Sequence, residues 1–363
     1  MSAEPLFTSP DYRAASLAIR VAMAERRADA RLETVAADVA LPERERLDDR
    51  TRTAVTRLVE VTVAAIEQDI AGHAARLLAA EGGDAVLRVL TVNAPSTLAR
   101  LGAAGLLRDP DLIGEFLMQA RVDLIDEALL ANRAPGAMAT LLARLTESAD
   151  GVIRQRALAY LVADSRRRLP GAPRRADLST AAIHRLAWSI AAVLREQIGI
   201  EAVDGMIDRA LVEATERSLA AIDDSEKLDT LATHLAIAID ARGDTLPILL
   251  LDALAEARMT LFIAIVAQAI AVDAEDVRAL MLDVDSDRAW LLLRAAGLSR
   301  DQIAQIGWLL SEADAMRDSE TLADAIDSVA RIEPHHAMQA FVPLSLHPDY
   351  RRAIRGLSRS VPA

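Results

Sequence analysis

Residues 245–298 read TLPILLLDALAEARMTLFIAIVAQAIAVDAEDVRALMLDVDSDRAWLLLRAAGL. Two apolar helices run almost back to back. A short amphipathic helix, an Asp-rich corner and a fourth helix ending at Gly297 follow. The run 259–272 is apolar on every side, and a helix of that kind has to be covered by others. It is 14 residues long and contains Gln268, whereas a membrane span needs about 20 apolar residues. The stretch therefore predicts the buried core of a layered helical stack and no membrane span.

Composition carries the same reading through the whole chain. The apolar fraction is 52% but only 3% is aromatic, so Ala, Leu, Ile and Val must fill the interior. Ala and Leu are strong helix formers, and small aliphatic side chains let helices approach closely. Alternating Val, Thr and Tyr runs, the mark of strands, are absent. The expected fold class is all-α.

Working outward in both directions, helix patterns recur at short spacing. Val55, Leu58, Val59, Ile66, Ile70 and Leu77 follow steps of three and four, predicting a long helix over 47–80 that stops at Gly82-Gly83. Further helices are predicted over 12–27, 28–39, 84–92, 96–107, 110–120, 122–132, 136–147 and 151–167. Asp111-Leu-Ile-Gly-Glu115 recurs as Asp123-Leu-Ile-Asp-Glu127, a short self-similarity that suits stacked repeats. Beyond 175 the predicted helices are 179–199, 202–222, 224–242, 299–311, 319–331 and 333–346. Ser299 and Gln302 form a capping box for one of them.

Two prolines, a glycine and five arginines crowd 166–175. This predicts a linker at 169–178 between two helical sections, 46–168 and 179–346, with an N-terminal lead at 1–45 and a basic tail at 347–363. Residues 151–175 hold seven arginines against one acid, while 200–335 hold 27 acids against 11 basic residues. Opposite fields of this kind favour head-to-tail association of copies, or a partner steered to either patch. Proline favours an exposed, extended course for 166–175, and the acidic 200–335 section is its nearest counter-surface.

The arrangement of 246–257, Thr260-Leu-Phe262, 273–282, the Asp-rich turn and Leu291-Leu-Leu-Arg-Ala-Ala-Gly-Leu298 resembles a family of uncharacterised bacterial proteins with a HEAT-like helical-repeat fold. Pro110-Asp-Leu-Ile113 and its surroundings resemble that family's N-terminal half, so the resemblance spans about 45–310. It implies an α–α superhelix of HEAT-like repeats in two sections, and it brings no catalytic residues. Here the turn reads Asp283-Val-Asp285-Ser-Asp287, where a proline-containing turn is expected.

The chain offers little chemistry. It has no cysteine, which excludes disulfides, thiol catalysis and cysteine-held zinc. No G-x-S-x-G, P-loop or G-x-G-x-x-G occurs. Asp283, Asp285 and Asp287 resemble the opening of a calcium loop, but Arg288 and Arg294 stand where an EF-hand needs Gly and Glu. Asp287 or Ser286 is instead expected to cap a helix. His335 and His336, adjacent on a helix, should diverge by about 100° and hold no shared metal. His73, His184 and His234 are expected as half-buried packing groups, and Trp188, Trp290 and Trp308 as core or groove lining. No catalytic, cofactor or metal residue is assigned.

Function therefore reads as a non-enzymatic scaffold or regulatory adaptor that binds another protein in a groove between helices. The N-terminus lacks the apolar core of a secretory signal, placing the protein in the bacterial cytoplasm. The alternative is nucleic-acid or phospholigand binding through Arg154, Arg156, Arg166, Arg167, Arg168, Arg174 and Arg175. A net charge of −13 argues against general nucleic-acid binding, which rests on positive charge.

Overall fold

The computed structural model describes residues 46–80, 96–133, 140–168, 176–198, 205–284, 286–317 and 320–359. The helices expected at 12–27, 28–39 and 84–92 lie outside these. The chain divides into two compact units, Met1–Arg52 and Thr53–Ala363. In the first unit, Asp48 Oδ1 accepts the Thr51 amide at 2.9 Å and so starts a helix. All other description concerns the second unit.

Regular structure among the described residues is entirely helical. In chain order the helices are α1 (Asp49–Ala80), α2 (Thr97–Ala103), α3 (Pro110–Ala131), α4 (Leu141–Thr146), α5 (Gly151–Arg168), α6 (Thr180–Ile198), α7 (Met206–Ala220) and α8 (Leu228–Ile239). Then come α9 (Thr245–Ala255), α10 (Met259–Ile270), α11 (Ala274–Met281), α12 (Arg288–Ala295), α13 (Arg300–Ala313), α14 (Leu322–Ala330), α15 (Pro334–Gln339) and α16 (Pro348–Arg359). The stretch 245–298 thus folds into four helices, as its pattern predicts.

Two expectations change. Residues 110–132 form one helix and not two, so the repeated Asp-Leu-Ile motif lies twice along α3. Twelve residues on a helix turn the second copy about 120° from the first, and the motif marks no repeat unit. Within the basic tail expected at 347–363, where no helix is predicted, Pro348–Arg359 form α16.

Side chains of the second unit gather into two apolar clusters. One joins Leu58, Ile66, Ile70 and Leu78 of α1 to Phe116 of α3, Ile190 of α6 and Leu211 of α7. The other joins Ile125 of α3, Leu141 of α4 and Tyr160 of α5 to α8–α15. Both clusters draw residues from either side of 169–178, so the apolar core does not part at the Arg/Pro segment. The N-terminal half of α3 serves one cluster and its C-terminal half the other. A 22-residue helix is about 33 Å long, enough to span both.

Helix α10 sits at the centre of the second cluster. Met259 to Ala267 are all buried without a break. α10 packs on α8, α9, α11 and α3, so every face meets a helix. The ends of the surrounding helices follow local chemistry. Ser299 Oγ accepts the Gln302 amide at 3.4 Å, and Gln302 Oε1 accepts the Ser299 amide at 2.8 Å. This is the predicted capping box. Gly297 at φ 89° closes α12, with the Leu298 amide reaching Leu293 O. The same closure occurs at Ala257 and Ala271, both at φ 54°, without glycine.

Ile265 lies in the middle of α10 at 2% exposure. Ile265→Asp would bury a carboxylate with no partner, and burial of an unpaired charge costs several kcal/mol against a domain stability of about 5–15. We expect unfolded or insoluble protein, checked by circular dichroism and thermal melting beside Ile265→Val, which should remain folded.

Candidate functional site

The turn between α9 and α10, Glu256 to Met259, is where charged side chains converge. It carries an alanine in the left-handed region, which an L-residue adopts at a cost of about 1–2 kcal/mol. Side chains from two other helices, α3 and α5, and one backbone amide of α4 hold it. Glu256 is buried; its Oε1 accepts the Leu141 amide at the start of α4, and its Oε2 accepts Arg258 Nε at 3.2 Å. Arg168 Nη2 donates to Ala257 O. Arg258 Nη1 donates to Asp164 Oδ2 of α5, and Arg168 Nε donates to Asp164 Oδ1 at 2.9 Å. The Met259 amide donates to Asp126 Oδ1 of α3 at 2.8 Å.

Titration in this cluster follows its burial and charges. Asp126 is pushed up to about 7, first by burial, while the Met259 amide and Arg168 oppose the shift and Asp123 and Asp164 add to it. Burial pushes the Tyr160 phenol up, and the Asp164 charge adds to that. Its hydroxyl has no hydrogen-bond partner among the described residues. Burial works to lower Arg258, but Asp164, Tyr160 and Glu256 together outweigh it and the guanidinium ends above its usual value.

This cluster accounts for two of the seven candidate arginines. Arg167 pairs with Asp123 at 2.9 Å and Asp177 at 3.2 Å. Burial again opposes the charge, and Asp123 and Asp177 hold the guanidinium above its ordinary value. Arg168 bonds as above, with Asp126 a further 3.6 Å away. Residues 166–168 thus end α5, whereas an extended course is expected from the prolines beyond. The carboxylates paired with Arg167 and Arg168 lie outside 200–335, and from within it Asp229 adds to the field at Arg167. Arg154 and Arg166 are exposed and Arg156 is half-buried; Arg154 donates to Ser148 O at 2.9 Å. Arg174 and Arg175 lie outside the described residues. The sequence therefore locates the basic segment but not its division into inward and outward arginines.

A second pair of arginines closes the end of α11. Arg121 Nη1 donates to Leu282 O and Arg317 Nη2 to Met281 O. Asp314 lies 3.0 Å from Arg121 Nη2. Burial lowers Arg317 more than Asp314 raises it, and its guanidinium stands 5.2 Å over the Trp290 ring. Trp290 is buried, as a core residue is expected to be, whereas Trp188 and Trp308 are exposed and lie outside the core.

The remaining candidates resolve simply. Asp287 takes the cap position of α12 without a side-chain bond, while Ser286 Oγ donates to Asp283 Oδ2 at 2.6 Å and accepts the Arg288 amide of α12 at 3.5 Å. Asp285 lies outside the described residues. No group of three His, Asp or Glu among the described residues is placed to hold a metal ion. The rings of His335 and His336 do not diverge: their centroids are 3.8 Å apart. His73 and His234 are half-buried, and His184 is exposed.

Beside the turn opens a cleft of about 330 Å³ between the end of α3, the start of α4, α9 and α13. Leu129, Leu254 and Leu309 give it apolar walls; Asp252, Glu256 and Glu312 give it acidic ones, with Arg133 at one end. Glu256 faces both the cleft and the charge cluster. Asp252 is paired with Arg144, while Glu312 is exposed. The volume is that of a small-ligand or side-chain pocket.

An all-α protein with a buried charge cluster and an acid-lined cleft is the class these features define. The model of a family described as an uncharacterised protein conserved in bacteria, DUF2336, matches residues 139–341. That is more than half of the chain, which belongs to this family. The match starts at α4, so the expected coverage from residue 45 is not met. No curated protein and no solved structure matches the chain. Among the described residues no helix is long and apolar enough to cross a membrane.

Two substitutions test the cluster. Arg258→Ala leaves Glu256 buried without its cation and Asp164 with Arg168 alone, and breaking a buried pair costs about 3–5 kcal/mol. The melting temperature should fall accordingly, while Arg154→Ala should leave it unchanged. Asp126 binds its proton more tightly folded than unfolded, so its contribution is full below the unfolded value of 3.8 and is lost as pH rises to about 7. Asp126→Asn keeps an oxygen for the Met259 amide without the charge. Chemical denaturation at pH 5 and 8 should show a smaller loss of stability in this variant than in the wild type.

Proposed function

We propose that the protein is a non-enzymatic scaffold or adaptor of the bacterial cytoplasm, and that it binds another protein through the cleft between α3, α9 and α13. The observation that carries this reading is the cleft's lining: leucines on the walls, with Asp252, Glu256 and Glu312 among them. Such a surface suits a segment that brings an apolar side chain beside a basic one. Its walls are helices fixed by the charge cluster, so little ordering is needed on binding. Trp308, on α13 next to Leu309, is 57% exposed, and exposed tryptophans are frequent anchors at protein interfaces.

The same reading extends to architecture. Successive helices α9 to α12 are joined by turns of a few residues and each packs on the next. This supports an α–α superhelix of HEAT-like repeats within the second unit, a form that presents extended binding surfaces. A second copy of the chain is a further candidate partner, through the exposed arginines of 151–166 and the acidic 200–335 faces. The alternative, nucleic-acid or phospholigand binding through 151–175, rests on fewer side chains once Arg167 and Arg168 are paired internally.

Quantitative affinity capture from the source cell tests the cleft. Trp308→Ala with Glu312→Lys alters exposed positions, so stability should stay within about 0.5 kcal/mol. The principal protein retained by the wild type should drop at least about tenfold, the ratio that follows from losing 1.4 kcal/mol. Undiminished capture refutes the cleft. Duplex DNA bound more tightly than the usual non-specific 10⁻⁴ to 10⁻⁶ M, and released by Arg154→Ser, Arg156→Ser and Arg166→Ser together, favours the alternative.

A further inference from the structure

Helix α16, PDYRRAIRGLSR, lies beyond the matched family region. A 100° step per residue puts positions 350, 353, 354 and 357 on one face and positions 351, 352, 355 and 359 on the other. The first set is Tyr, Ala, Ile and Leu; the second is Arg throughout. The helix is thus divided between an apolar and a basic half. With Asp349 its formal net charge is +3, in a chain whose net charge is −13.

The apolar half faces solvent. Tyr350 is 59% exposed, Ile354 45% and Leu357 71%. The side on which α16 is fastened is the arginine side. Arg351 makes a two-pronged pair with Asp276 of α11, at 2.7 and 2.6 Å, and bonds Leu346 O at 3.0 Å. Position 351 is about 110° from the centre of the apolar face, so the contact with α11 leaves that face uncovered. Val342 and Leu346, in the turn leading into α16, are exposed as well.

We propose that α16 lies in the surface of an anionic lipid bilayer, with Tyr350, Ile354 and Leu357 sunk among the acyl-chain boundary and the arginines other than Arg351 among the phosphates. An amphipathic helix of low overall hydropathy with a basic polar face is the form that binds in this plane without crossing. Tyrosine suits the headgroup level, being apolar along the ring and polar at its tip. Guanidinium groups match phosphate oxygens in pairs. Asp273, Glu275 and Asp276 act on Arg351, and fields from more distant acids fade over about 8 Å at physiological salt. A second copy would offer acidic faces but would leave unexplained the exposed apolar face, which carries no carboxylate. The inference is independent of the cleft.

The test is co-sedimentation of the full chain with vesicles of phosphatidylcholine alone and of phosphatidylcholine mixed with phosphatidylserine. The wild type should pellet with the mixed vesicles, remain free with the neutral ones, and be released by high salt. Ile354→Ser with Leu357→Ser should abolish pelleting while the melting temperature is unchanged, since both positions are exposed. Arg352→Ser, Arg355→Ser and Arg359→Ser together should weaken it roughly a hundredfold, each arginine near an anionic surface contributing about fivefold. The lysine triple should restore it. Failure to pellet with the mixed vesicles at low salt overturns the proposal. So does undiminished pelleting of the serine double variant, or a dimer in analytical ultracentrifugation that the same substitutions dissolve in a protein that ignores lipid.

Discussion

Four consecutive residues, Glu256 to Met259, are fixed by bonds from α3, α4 and α5, and the placement of the most apolar helix depends on them. α10 is apolar on all sides, so its burial gives no orientation by itself; any rotation about its axis buries the same kind of surface. The turn supplies what the hydrophobic effect cannot. Its charged and backbone groups have defined partners: Asp164 takes Arg258, Asp126 takes the Met259 amide, and Glu256 takes the Leu141 amide. Buried ion pairs add little net stability, since desolvation offsets attraction. What they add here is a single register for α10, because a displaced turn would leave carboxylates and guanidiniums buried and unmatched.

That division of labour explains what could be read from the sequence. The apolar run at 259–272 identifies the core because all-round hydrophobicity is a local property, and Ser299 with Gln302 identifies a helix start because capping acts over four residues. The sequence predicts two helices where α3 is one, for the converse reason. Arg121 interrupts its apolar pattern, but the charge is used far away in sequence, on Leu282 O and Asp314. Helix ends at Ala257 and Ala271 lack the glycine that normally marks such a stop. At Ala257 the strained conformation is held by Arg168, 89 positions earlier, and no local pattern carries that information.

The arginine-rich segment shows the same limit on the functional side. Clustered arginines in a sequence read as a solvent-facing patch, because like charges repel and seek water or anions. In the fold, Arg167 and Arg168 turn toward Asp123, Asp126, Asp164 and Asp177. Those four acids are spread over 55 positions, and composition windows record them only as scattered negative charge. The candidate site was legible as a region of unusual charge. Its partition between structural and free arginines was not, since that follows from which face of α5 meets α3.

Glu256 joins the structural cluster to the cleft, and the two roles limit one another. Both of its oxygens are already engaged, one by the Leu141 amide and one by Arg258. Each oxygen keeps a further acceptor site, but the carboxylate is buried, so a cation reaching it from the cleft would have to give up its water. On the proposed reading, the charge offered to a partner comes from the rim. Asp252 is held there by Arg144, whose side chain is itself largely exposed, and a pair of that kind contributes little stability and exchanges readily. Glu312, exposed on α13, needs no bond broken. Selectivity for a basic group should thus reside in Asp252 and Glu312, while Glu256 keeps the wall in place.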